Sequence, residues 1–257
     1  MLERTKNQDW SGEADMWKRM KGGWIGLALV LLTAVPALAA CGSAAGDGEA
    51  GDADGGVIRV VTTIAQIAEP ISVIGGDRVS VTSLMGPGVD PHLYQASQSD
   101  IRKLEGADVI FYNGLHLEAN MVRAFEEIGK TRPALAVGEA IAKDRLLTDE
   151  TGAIDPHVWF DIDLWKTALE AATEKLKEMS PDDAELFEAN KRDYFARMDE
   201  LKEEALAKMS SIPKERRLLV TAHDAFGYFG RMLDLEVVGL QGLSTEDEIG
   251  LSDIERT

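Results

Sequence analysis

Residues 180–213 read SPDDAELFEANKRDYFARMDELKEEALAKMSSIP, with no Gly or Pro between Pro181 and Pro213. Ser180 is a helix-capping residue type, Pro181 suits a first turn, and Asp182 and Asp183 favour the positive end of a helix dipole. Phe187, Tyr194, Met198, Leu201 and Ala205 recur at helical spacing, with charges on the remaining positions. The pattern predicts one helix over 181–212, about 30 residues rising ~1.5 Å each, or roughly 45 Å. A helix that long either packs along a domain or joins two. A coiled-coil seam is the plainer alternative, but the apolar repeat is too short and irregular for it.

The flanks of this rod alternate. Upstream, apolar runs at Val57–Thr63, Val79–Leu84, Ala107–Tyr112 and Ala134–Val137 are separated by helical stretches such as Asp100–Glu105 and Glu118–Ile128, and Asp163–Met179 is helical as well. Short buried strands alternating with helices predict a parallel sheet covered on its faces. Pro70 falls inside the first of these helices, where it removes a backbone hydrogen bond. Downstream, strand Arg217–Thr221, helix Ala225–Leu233, strand Leu235–Gly239 and a helical start near Glu246 open a second alternating region. It is shorter than a full α/β lobe needs.

The amino terminus has a different character. Lys18, Arg19 and Lys21 precede an apolar stretch from Trp24 to Ala37, too short for a bilayer span of ~20 residues. It exits through Leu38-Ala39-Ala40 into Cys41, the only cysteine. Residues 1–40 are therefore expected to be a secretory signal. Leu-Ala-Ala-Cys resembles the lipobox of bacterial lipoproteins, in which the cysteine is lipidated. Residues 41–56, rich in glycine and poor in anything to bury, are expected to form a flexible tether.

Charge narrows the function. The 257 residues carry 27 basic and 45 acidic side chains, a formal charge of −18. Such a surface repels phosphate backbones, so no nucleic-acid partner is expected. One cysteine excludes an internal disulfide and a multi-thiolate metal site.

Four histidines make their placement informative. His92 and His157 share the tripeptide Asp-Pro-His (Asp90-Pro91-His92, Asp155-Pro156-His157), and His223 stands in Thr221-Ala222-His223-Asp224. All three adjoin expected strand ends, the side of an open α/β sheet where ligands bind. Neutral imidazole is the commonest metal ligand, and Asp90, Asp155 and Asp224 are candidates to orient the rings from behind. Loop histidines also serve as plain turn residues, and Asp-Pro is turn chemistry in its own right. His116 is the weakest candidate ligand.

Four stretches occurring in order carry a resemblance: Gly86-Pro87-Gly88-Val89-Asp90-Pro91-His92-Leu93-Tyr94, Asn113-Gly114-Leu115-His116-Leu117-Glu118, Asp155-Pro156-His157-Val158-Trp159-Phe160-Asp161, and Thr221-Ala222-His223-Asp224-Ala225-Phe226-Gly227-Tyr228-Phe229. They resemble the solute-binding proteins of zinc and manganese ABC importers (cluster A-I), from about Val57 to Thr257. Gln241-Gly242-Leu243-Ser244-Thr245-Glu246 also resembles a family segment. The resemblance implies an α/β protein of two parallel-sheet lobes joined by one long rigid helix. Residues 57–180 would be the first lobe, 181–212 the linking helix, and 213–257 the start of a second lobe truncated in this chain.

The resemblance further implies that Zn2+ or Mn2+ is held between the lobes as transported cargo, by His92, His157 and His223, with a fourth ligand from beyond Thr257. The expected partners are a divalent metal ion, an ABC permease in the membrane and a lipid anchor at Cys41. The expected state is a monomer on the outer face of the cell membrane. Nitrogen-rich ligation suits zinc; zinc-dedicated members of the family it resembles often carry a His-rich acidic loop, and by that likeness the absence of histidine from Ala142–Gly152 pulls the other way. A secreted zinc hydrolase using the same histidines is the rival reading. No His-Glu-x-x-His helix is present, and no Glu adjoins any of the three. A surface adhesin is a further alternative.

Overall fold

A computed structural model of the protein describes residues 56–246. The expected signal segment, Cys41, the tether up to residue 55 and residues 247–257 lie outside the described residues. Four strands, β1 (Ile58–Thr62), β2 (Val79–Ser83), β3 (Val109–Tyr112) and β4 (Ala134–Ala136), form a wholly parallel sheet in the order β2-β1-β3-β4. The central strands are apolar on both faces because helices cover both. Val60 and Val61 of β1 and Val109, Ile110 and Phe111 of β3 are all buried. Val60 stands level with Val81 on one side and Val109 on the other.

The crossovers are α1 (Ala65–Gly75), α2 (Gln98–Gly106) and α3 (Val122–Ile128). Pro70 does not end α1. It lies on the same buried face as Ile67, Ile71 and Ile74, and the helix continues to Gly75. An interior proline costs about 3 kcal/mol, while each fully buried isoleucine contributes roughly 1.5–3 kcal/mol, so packing prevails. Helix α2 starts on a capping box in which Ser97 and Asp100 satisfy each other's backbone N–H. The chain leaves β1 for β2 on one side and returns across it to β3. Strand order therefore reverses between β1 and β3, and the crevice beyond the strand carboxyl ends at such a point is where these sheets take ligands.

Helix α4 (Ile162–Met179) begins at Asp161, whose carboxylate accepts from the N–H groups of Asp163 and Leu164. The rod follows as α5 (Ala184–Ser210), shorter at its start than expected because Pro181–Asp183 forms a 3-10 turn. The Ser180 hydroxyl does not cap a backbone N–H. It donates to the Asp183 carboxylate at 2.6 Å, which also holds Arg78 at 2.9 Å. Phe187 is fully buried, and Tyr194 and Met198 pack against the core, but Leu201 is 60% exposed. Helix α4 runs antiparallel beside α5, with Lys191 bonded to Glu170, Lys166 to Asp199 and Lys202 to Asp163. That register brings the first residue of α4 level with α5 just past Lys202. The turns of α5 after that point have no α4 beside them.

Beyond α5, β5 (Leu218–Thr221) and β6 (Glu236–Gly239) pair in parallel across α6 (Gly227–Leu233). Two parallel sheets, one before and one after a long helix, are the two-lobed α/β arrangement that the resemblance implies. Helix α6 starts two residues later than expected because residues 223–226 turn first, with Ala225 N–H donating to His223 O at 3.0 Å. Among the described residues, no helix is long and apolar enough to cross a membrane.

Candidate metal centre

His92 lies in the loop after β2, His157 in the approach to α4, and His223 two residues beyond β5. The two Asp-Pro-His tripeptides fold alike. In each, the aspartate carboxylate accepts from the histidine's own backbone N–H, at 2.9 Å from Asp90 to His92 and 2.9 Å from Asp155 to His157. Such a turn is what aspartate followed by proline favours. Here it also fixes where each ring leaves the backbone.

Three chain segments thereby converge. The Nε2 of His157 lies 3.2 Å from that of His92 and 3.2 Å from that of His223. At zinc–nitrogen bonds of roughly 2.0–2.1 Å and a tetrahedral angle, two ligand nitrogens stand about 3.3 Å apart. The other ring nitrogens fix which nitrogen faces inward. His157 Nδ1 faces an Asp155 carboxylate oxygen at 2.7 Å, and His223 Nδ1 faces the Gly242 carbonyl at 2.8 Å. Both partners accept only, so each Nδ1 donates, which leaves Nε2 as the nitrogen that each ring turns inward toward a metal. Burial, followed by repulsion from the other two imidazoles, pushes His92 down to about 4. Burial and His157 lower His223 in the same way. At neutral pH these two rings are uncharged, the form that binds metal.

The carboxylates behave differently from one another. Asp155 alone touches a ring nitrogen of the trio. Asp90 holds the backbone of His92 rather than its ring, and its second oxygen accepts from the Thr245 hydroxyl at 2.6 Å. Asp224, expected to orient His223, is displaced from that task by the Gly242 carbonyl. Its own N–H donates to Gln241 O, and burial, then Asp155, raises its carboxyl above the usual range. Gly239 permits this turn, since a Cβ there would fall 2.5 Å from the Asp224 Cβ and 2.8 Å from its N.

Several supporting residues carry no signal in the residue pattern. The Tyr228 hydroxyl, on α6, donates to Asp155 O at 2.9 Å and accepts from Leu147 N–H at 3.0 Å. It ties the His157 loop to the segment that follows the rod. Asn113 donates to Pro156 O at 3.0 Å from the end of β3. The turn after it, with Gly114, Leu115 and His116 all at positive φ, is held by Glu118, whose carboxylate accepts from the N–H groups of Asn113 and Gly114. Tyr228, Asn113 and Glu118 lie inside the stretches quoted above, and that is the one trace they leave in the sequence.

His116 does not join the trio. It lines a separate cavity of about 590 Å3 over the stacked rings of Tyr112 and Phe125. The three other histidines line a cleft of about 350 Å3 with Trp159 and Phe226. Among the described residues, one further acidic group could hold a cation, Glu170, Glu174 and Glu188. Its oxygens already accept from Lys177 and Lys191.

The profile of the ZnuA family, zinc-uptake complex component A, periplasmic, matches residues 60–257. The chain belongs to this family. Its ZnuA-type sequence is 43% identical over 231 residues to the manganese-binding lipoprotein MntA of Bacillus subtilis, covering 90% of this chain and 74% of MntA. The zinc-binding protein TroA of Treponema pallidum is 44% identical over 196 residues, which are 76% of this chain and 64% of TroA. The solved structure of the periplasmic zinc-binding TroA superposes with a TM-score of 0.76 at 44% identity, covering 78% of this chain and 73% of that one. ZnuA-family proteins of this kind are metal-binding receptors of zinc and manganese ABC importers, so the family is one of substrate binders.

Proposed function

We propose that this chain captures one divalent metal ion, Zn2+ or Mn2+, on His92, His157 and His223 and passes it to the membrane permease of an ABC importer. The observation that carries this reading is the inward convergence of three Nε2 atoms from separate loops, with spacings of 3.2 Å about His157. Residues 57–180 supply one side of the cleft and the segment that follows residue 213 begins the other, with 181–212 between them. Removal of residues 1–40 and lipidation of Cys41 would anchor a monomer at the outer face of the cell membrane, in keeping with the lipoprotein name of the Bacillus relative. Three imidazoles form a borderline donor set, and intrinsic affinity rises from Mn2+ to Zn2+. Zn2+ therefore binds the isolated chain more tightly whichever ion is the cargo.

Metal analysis and thermal shift on His92→Ala, His157→Ala and His223→Ala test the assignment. The unaltered chain should retain one ion and melt higher with metal, and each variant should lose most of both effects. Wild-type metal content together with undiminished stabilisation in all three variants would overturn it.

A further inference from the structure

The segment Gln241–Glu246 reaches both ends of the histidine trio. Its Gly242 carbonyl accepts from His223 Nδ1 at 2.8 Å. Three residues on, the Thr245 hydroxyl donates at 2.6 Å to the Asp90 oxygen that is not engaged by His92 N–H. Glu246 accepts at 3.2 Å from Asn120 Nδ2, which also donates to the His92 carbonyl at 3.0 Å. The two peptide groups flanking His92 are thus each held by a side chain, Asp90 on the N–H and Asn120 on the carbonyl. Each of those side chains is in turn bonded to the segment that holds His223. Gln241 Nε2 donates to Thr245 O at 2.9 Å and closes the segment on itself.

We propose that Gln241–Glu246 is a latch that governs metal release, with Thr245 and Asn120 as positioning residues acting on His92 through its backbone. The inference rests on the metal reading given above and goes beyond it by assigning retention to residues that do not touch the ion. The physical reason is placement. A ligand loop that can drift by a fraction of an ångström gives up bond strength, and groups behind the ligands set affinity by 10–100-fold in metal sites generally. Because the same short segment holds His223 directly, its withdrawal loosens two of the three ligands together. Retention would then depend on one strand of chain rather than on wholesale lobe movement.

Thr245→Val keeps the side-chain shape and deletes the donor, and Thr245→Ser keeps the donor. The full chain is loaded with Co2+ alone, and its release into excess chelator is followed through the visible absorption of the bound ion. Thr245→Val should still bind one Co2+, with a shifted visible spectrum and release about 10-fold faster than wild type. Thr245→Ser should fall within about twofold of wild type, which a merely structural role for the position would not require. Asn120→Ala, acting on the opposite side of His92, should also release faster, and it decides alone if Thr245→Val fails to fold. Release at the wild-type rate from Thr245→Val, or Thr245→Ser as fast as Thr245→Val, overturns the latch. Failure of the underlying metal reading shows differently: His157→Ala would bind Co2+ as wild type does, and the latch would fall with it.

Discussion

Replacing Tyr228 with phenylalanine leaves the buried ring in place and removes only its hydroxyl. That oxygen serves two backbone groups, donating to Asp155 O at 2.9 Å and accepting from Leu147 N–H at 3.0 Å. Asp155 is 3% exposed, so its carbonyl gains little from water when the donor goes. A net hydrogen bond contributes about 0.5–1.5 kcal/mol and a buried orphan costs about 1–3 kcal/mol, so Tyr228→Phe should destabilise the metal-free chain by about 2–4 kcal/mol. The effect should reach the metal. Asp155 positions His157 through both ring and backbone, and loosening such support weakens metal sites by roughly 10-fold or more. Urea unfolding without metal measures the first quantity, and Zn2+ titration against a competing chelator the second. A loss below about 0.5 kcal/mol refutes the clamp. A full loss of stability with unchanged Zn2+ affinity refutes its coupling to His157.

Two other predictions follow from neighbouring geometry. Gly239→Ala would place a methyl against the Asp224 backbone; it should push the His223 turn aside and lower Zn2+ affinity at least several-fold with every ligand retained, as titration will show. Asp100 is buried, which opposes its ionisation, yet Ser97, Lys103 and Tyr94 outweigh this and hold its carboxyl below the usual range. Its folded value being depressed, the stability it contributes is present above the unfolded value near 4 and is lost as pH falls toward the folded value. Asp100→Asn should therefore cost about 1–3 kcal/mol at neutral pH, and its acid limb below about pH 4 should be shallower than wild type in melts across pH.

What the amino-acid sequence made legible follows from how local each cause is. Strand β1 could be read because both its faces are apolar, and the long helix because nothing in its interior breaks it. The paired Asp-Pro-His turns could be read because an aspartate bonds a backbone group two residues on, within the same few letters. Sequence adjacency misled where distant chain intervened. Asp224 stands beside His223, yet a backbone carbonyl 19 residues downstream takes the ring nitrogen, and a carbonyl is common to every residue type. The same holds for Tyr228, whose partner is 73 positions away. Leu201 fits the helical period as well as Phe187 does. Its exposure depends on which other elements pack along that stretch of α5, which no periodicity within α5 encodes.

The three imidazoles are separated by 65 and 66 positions along the chain. No short peptide cut from this sequence would contain a ready-made chelator, and an extended chain would offer the ion scattered single donors. Binding therefore counts almost wholly toward the finished molecule, the condition under which stabilisation rises with the logarithm of free ion over its dissociation constant. A hundredfold excess would add about 2.7 kcal/mol. The free concentration of cargo would then set how often each receptor molecule opens far enough for a protease to cut it.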